Sequence, residues 1–154
     1  MLKRYATAVA TAVVVSSLLG FGAMAAKAED KPLTEKEKKD LKASIKDYKG
    51  AVTKVKAYRD KIRKETTTTD GDPEDAHRSL DELALVLEWL PEFAKTSGVP
   101  GDGLEDLTKS AQKLADLFDK VHQNIDAKKA PNYQAVAKGI EGEIKKLDAL
   151  TPKS

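Results

Sequence analysis

Two histidines, each with one carboxylate three residues before it and another four residues after it, are the residues best suited to metal chemistry. On a helix these spacings place both carboxylates on the same face as the imidazole. Imidazole nitrogens and carboxylate oxygens bind Zn, Cu or Ni, so the sequence offers a candidate metal site. Its residues are Glu74, His77, Asp81, Asp119, His122 and Asp126.

The heptad pattern predicts that the two imidazoles lie at one level of a helical hairpin, unless a kink at Pro91 shifts the register and rotates them apart. His77 and His122 both fall at e positions beside an apolar stripe, and they lie at similar distances from a turn centred near residues 99 and 100. In an antiparallel pair of helices they are expected at one level. The alternative is that acid-rich helices place carboxylates near a histidine by chance, which leaves a pH-sensitive pair without a function.

Other chemistry has less support in the residue types. The chain has no Cys, which excludes disulfides, thiolate metal sites and a Cys nucleophile. It also has no nucleophile elbow, no phosphate-binding glycine loop and no dinucleotide fingerprint. We therefore expect a protein that is not an enzyme.

Four amphipathic segments must position these residues, and no strand pattern competes with them. Thr34 and Glu37 have capping-box spacing, Asp72 precedes a proline at a helix start, and Pro91 predicts a kink or a restart. The threonine run at 65–71 predicts a linker. The predicted helices span about 34–64, 73–97, 103–127 and 131–150.

One apolar stripe per helix and short connections predict an all-α domain, an antiparallel up-down-up-down four-helix bundle. The domain is expected over 29–154 as a single unit. The regular heptads of the third helix also allow two hairpins to associate, so a homo-oligomer is an open alternative.

The first residues have the pattern of a cleaved signal peptide, predicted over 1–28. Lys3 and Arg4 precede an apolar, alanine-rich stretch, and small-residue cleavage sites end at Ala25 and Ala28. A membrane anchor is the alternative, because the apolar stretch is near the shortest length that spans a bilayer. We favour cleavage, which predicts export to the periplasm or the exterior and no stable membrane span.

Charge is unevenly distributed along the chain after this segment. Without residues 1–28 the chain has 24 basic and 25 acidic residues, a formal net charge of −1. Residues 31–64 have a net charge of +8, residues 65–126 of −10 and residues 127–154 of +3. Attraction within one fold explains this polarity, and binding of an acidic surface by the lysine-rich first helix is the alternative. Nucleic acid is disfavoured, because aromatic side chains for base stacking are sparse in that helix.

Several short motifs together resemble a group of uncharacterised small exported helical proteins of planctomycete-type bacteria. The similarity covers roughly residues 72–140 and includes Asp72-Pro73, His77, the segment from Leu87 to Ala94, the segment from Leu117 to Lys120, and Tyr133. Other members carry further histidines where this chain has Ser79 and Leu80. The resemblance implies export and an all-helical fold, and it implies no activity.

These observations predict an exported, non-enzymatic helical bundle with a binding or structural role. Its partner is expected to be a protein or an acidic surface, bound through the lysine-rich first helix or through the region around Trp89. Core packing is the alternative for Trp89. The alternative function is binding of a divalent metal by His77 and His122 with their flanking carboxylates.

Overall fold

The computed structural model of the chain describes residues 31–152, and in this range the protein is helical and contains no strand. The signal peptide predicted over 1–28 lies outside the described residues. Within this range, five α-helices and one 3-10 turn pack together. They are α1 (Glu35–Ala43), α2 (Tyr48–Thr67), the turn Pro73–Ala76, α3 (His77–Thr96), α4 (Gly101–Asp126) and α5 (Tyr133–Ala149).

The single first helix predicted over 34–64 is wrong, because the chain forms two helices there. α1 begins at the expected capping box, in which the Glu37 amide donates to the Thr34 hydroxyl at 3.3 Å. A second cap follows at Asp47, whose carboxylate accepts a hydrogen bond from the Gly50 amide at 2.7 Å and begins α2. Aspartate stabilises a helix N-terminus better than a helix interior, so a new helix begins after Asp47 instead of one helix continuing through it.

The linker predicted over 65–71 begins later than expected, because α2 continues to Thr67. The hydroxyls of Thr66 and Thr67 donate to the carbonyls of Ile62 and Arg63, each at 2.7 Å. These bonds to the preceding turn accommodate β-branched residues at the end of the helix.

α3 runs through Pro91 without a break, so the predicted restart does not occur. Proline removes one backbone hydrogen bond from the helix. Leu90 and Phe93 are buried next to it, and their packing keeps both sides helical. The helices predicted over 103–127 and 131–150 differ from α4 and α5 by no more than two residues at either end.

The packed helices share one apolar core. α2 packs on α3, α3 on α4, α4 on α5, and α5 on α2, while α1 packs on α3 and contains no buried residue. None of the helices described within 31–152 combines the length and the apolar character needed to cross a membrane. The largest fully buried side chains are Tyr48, Ile62, Leu83, Leu90, Leu107, Leu114, Ile125, Ile140 and Leu147.

α3 and α4 form the hairpin that positions the histidines. Residues 97–100 connect the two helices, and Gly98 adopts a φ of 78°, which favours glycine. At the other, open end of the hairpin lie the start of α3 and the end of α4. His77 is the first residue of α3, and Asp126 is the last residue of α4.

Candidate metal centre

His77 is held at the open end of the hairpin by a local turn. The segment predicted to start a helix at Pro73 begins as a 3-10 turn, with the Asp72 carboxylate accepting from the Glu74 amide at 3.0 Å. α3 follows directly from this turn. The His77 side chain is only 8% exposed, so its ring nitrogens face protein groups more than water.

His122 lies opposite, on α4, and the two imidazoles are in direct contact. His77 Nδ1 and His122 Nε2 are 3.0 Å apart, and the rings meet edge to face with centroids separated by 5.0 Å. At this distance one ring nitrogen can donate a proton to the lone pair of the other. If both nitrogens are unprotonated, the two lone pairs can instead bind one cation.

Asp126 adds a third donor atom to the pair. Its Oδ1 lies 3.6 Å from His77 Nδ1 and 3.7 Å from His122 Nε2. These three atoms form a triangle with sides of 3.0, 3.6 and 3.7 Å. A tetrahedral zinc ion with ordinary bond lengths holds neighbouring ligand atoms about 3.3 Å apart, so the triangle is close to one face of such a tetrahedron.

Glu74 occupies the other side of the His77 ring. Its Oε2 lies 3.4 Å from His77 Nε2, and its Oε1 accepts a hydrogen bond from Lys128 Nζ at 2.6 Å. A carboxylate beside Nε2 favours the tautomer with a proton on that nitrogen, which leaves Nδ1 as the metal-facing lone pair. Glu74 therefore suits the role of orienting the ring, whereas the sequence placed it among the ligands.

The remaining two carboxylates of the candidate set lie elsewhere. Within residues 31–152, the converging donor group consists of His77, His122 and Asp126. Asp81 and Asp119 each lie one turn from a histidine toward the helix connection, and they are not in that group. Asp119 is exposed and accepts a hydrogen bond from Gln123 Nε2 at 2.5 Å.

The positive first segment pairs with two other regions of the fold. Lys42 Nζ contacts Glu92 Oε2 at 2.5 Å in the acidic middle segment, while Lys56 Nζ contacts Asp148 Oδ1 at 2.6 Å on α5. Lys42 Nζ also lies 5.5 Å from the centre of the Trp89 ring. Trp89 is half-buried and packs against the edge of the apolar core. Lys42 covers part of its ring.

Comparison of the chain with protein-family models, with curated proteins and with solved structures finds no match of any of the three kinds. The resemblance to exported planctomycete-type proteins therefore stays a prediction.

Proposed function

We propose that this protein binds a divalent transition-metal ion through His77 Nδ1, His122 Nε2 and Asp126 Oδ1. The observation that supports the proposal is the triangle of donor atoms, whose sides are within about 0.4 Å of the ligand separations in tetrahedral zinc sites. Two helices supply these atoms from the open end of one hairpin. The metal requires only small side-chain shifts, a slight opening of the His–His contact and a slightly closer approach of Asp126 to both rings.

The donor set favours zinc, copper or nickel over calcium and magnesium. Imidazole nitrogen suits the first group, whereas calcium and magnesium prefer shells made only of oxygen atoms. Tetrahedral spacing favours zinc among the three. Three protein donors leave the fourth position to water or to another ligand, and the proposed role is to hold or carry the metal.

The proposal also covers the arrangement of the helices around the site and the location of the protein. We infer that α2 to α5 form an antiparallel up-down-up-down bundle with α1 attached to its outside, supported by the order in which the helices pack. We also propose export after removal of residues 1–28. A chain without Cys suits an oxidising compartment, because it has no thiol to oxidise. Binding of a partner through the lysine-rich helices or Trp89 stays a prediction.

The test is a calorimetric titration of the purified protein with zinc, repeated with copper and nickel. We expect one zinc ion per chain. Asp126→Asn should weaken binding by about tenfold or more, because it replaces an anionic ligand with a neutral amide. His122→Ala should abolish stoichiometric binding.

The matched control is Asp119→Asn, which removes the same charge from the same helix one turn before His122. It should bind zinc like the unmodified protein. Equal loss in Asp126→Asn and Asp119→Asn would indicate general attraction to an acidic surface and would refute the site. Zinc binding by His122→Ala at full affinity would refute it as well.

A further inference from the structure

A second charged cluster lies between α4 and α5, away from the histidines. It lines a groove of about 480 Å³, compared with about 270 Å³ for the groove beside His122. The lining of the larger groove combines charged and polar side chains with the apolar Ala149 and Leu150. Its lining includes Ser110, Lys113, Glu143, Lys146, Ala149 and Leu150.

Glu143 is the buried centre of this cluster and is only 3% exposed. Its Oε1 forms an ion pair with Lys113 Nζ at 2.8 Å and accepts a hydrogen bond from Lys146 Nζ at 3.1 Å, so one lysine approaches from α4 and one from α5. Burial acts to raise the pKa of Glu143, but hydrogen bonds from Lys113, Lys146 and Ser110 outweigh it and lower the pKa below its ordinary value. The carboxylate is therefore charged at neutral pH.

The two ammonium groups are fixed near each other by this shared oxygen. Each ammonium has three N–H donors and uses one on Glu143. The Lys113 and Lys146 side chains are 61% and 60% exposed, so the remaining donors are accessible from the groove and from solvent. A buried carboxylate that holds two accessible cations in place is a preorganised anion receptor.

The overall charge of the groove limits the anion it can take. Three lysines and two carboxylates line it, including Lys109 and Asp106, and the sum is one positive charge. Lys109 Nζ also contacts the exposed Glu105 at 2.6 Å, which reduces its pull on a ligand. A ligand with one negative charge therefore complements the groove. The electrostatic attraction between them is too weak to hold a small free anion by itself.

The apolar residues of the lining supply the other half of the recognition. Ala149 and Leu150 lie at the end of α5, and their side chains are exposed and half-buried, respectively. An apolar group laid against them would leave water, which is favourable by about 25 cal/mol per Å² of buried area. A ligand with an anionic end and an apolar body therefore gains binding free energy both from the lysines and from the apolar residues.

We propose that this groove binds a small amphiphile with one anionic group, such as a medium-chain carboxylate. The anionic group contacts Lys113 Nζ and Lys146 Nζ, and the apolar body lies against Ala149 and Leu150. This site is independent of the metal proposal, because it shares no residue with the histidine cluster. Failure of one proposal leaves the other intact.

The test uses the fluorescent probe 8-anilinonaphthalene-1-sulfonate, which has one sulfonate and an apolar ring system and emits strongly out of water. We expect one probe per folded chain. Decanoate should displace it, whereas acetate at the same concentration should not, because acetate lacks the apolar body. Displacement by acetate as effective as by decanoate would indicate a site for free anions and would overturn the proposal.

Two variants locate the binding. Ala149→Trp fills the groove without changing its charges, and the triple variant Lys113→Met/Lys146→Met/Glu143→Gln removes the receptor without leaving a buried charge alone. Each should weaken probe binding by about tenfold or more. The triple variant loses the charge-assisted contacts to the sulfonate, and Ala149→Trp loses the space for the apolar rings. Circular dichroism and a urea melt verify that each variant is folded.

The matched control is Lys138→Met/Lys145→Met, which removes two exposed lysines of α5 that do not line the groove. It should bind the probe like the unmodified protein. Equal weakening in this control would mean that net charge alone attracts the probe, and unchanged binding by Ala149→Trp would mean that the probe lies elsewhere. Either result would overturn the proposal.

Discussion

α4 contributes to two clusters of ionisable side chains, and the clusters differ in the kind of group that converges. At its end, His122 and Asp126 meet His77, so that three electron-pair donors surround one point. Near its middle, Lys113 joins Lys146 on the carboxylate of Glu143, so that two cations surround one anion.

This difference indicates what each cluster can bind. Converging donors can share either a proton, as in the hydrogen bond between the two rings, or a metal ion, so under the metal proposal the histidine cluster takes a cation. In the Glu143 cluster, a carboxylate of the same chain already pairs with both lysines and leaves a net of only one positive charge. An added ligand gains little from charge there and must bring apolar surface, which is why the two sites are expected to select different ligands.

The largest effect should come from adding zinc to the histidine cluster. Zinc at about 100 times its Kd should raise the free energy of unfolding by about 2.7 kcal/mol at pH 7.5, since only the folded chain brings the three donors together. Protons compete for the imidazole lone pairs, so the gain should shrink toward pH 5. Urea melts with and without zinc at both pH values measure it. A gain that is the same at pH 5 would contradict binding through imidazole.

Removing the cations from the other cluster should have the next largest effect. Lys113→Met/Lys146→Met leaves Glu143 buried without its two lysine partners and should lower the free energy of unfolding by about 1–2 kcal/mol. The loss is no larger because both lysines are more than half exposed, so that water screens their attraction to Glu143. Adding Glu143→Gln should recover part of the loss, because the buried charge is then gone. A urea melt checks both. The control Lys138→Met/Lys145→Met should stay within about 0.5 kcal/mol of the unmodified protein.

Acid should weaken the Glu143 cluster by a smaller amount. The folded pKa of Glu143 lies below its ordinary value of 4.5, so its pairing stabilises the fold above that pH and is lost as the pH falls further. Glu143→Gln should therefore make stability fall less steeply below about pH 4.5, measured by urea melts between pH 6 and pH 3. An identical slope in the variant would show that Glu143 does not contribute.

The histidine cluster was partly predictable because its register depends on spacing alone. Equal distances from the hairpin turn place His77 and His122 at one level, whatever the details of packing. Spacing does not distinguish the carboxylates on the two sides of each histidine, however. Toward the connection, buried Leu80 and Phe118 fill the space between the helices, whereas at the open end a side chain such as Asp126 can converge on the rings.

The Glu143 cluster was missed, although the sequence contains a signal for it. Glu143 lies three residues after Ile140 and four before Leu147, so it falls on the buried stripe of α5. A charged residue at such a position requires a partner. The partner on α4, Lys113, depends on how two helices pack, and the sequence pattern of either helix alone does not fix that.

The smallest predicted effect concerns the helix that carries Glu143. Gly142 lies inside α5, and a Cβ added there would meet no atom within 4 Å, so Gly142→Ala should raise the free energy of unfolding by about 0.5 kcal/mol through helix propensity.

Gly139→Ala on the same helix is the matched comparison. Its Cβ would lie 3.0 Å from Leu117 Cδ1 on α4, so part of the same gain should be lost in moving the leucine aside. Urea melts of both variants measure the difference. A larger gain in the free energy of unfolding for Gly139→Ala than for Gly142→Ala would mean that α4 and α5 lie farther apart than the contact at Leu117 requires. The groove that holds Glu143 would then be wider, and its two lysines would no longer be held on one oxygen.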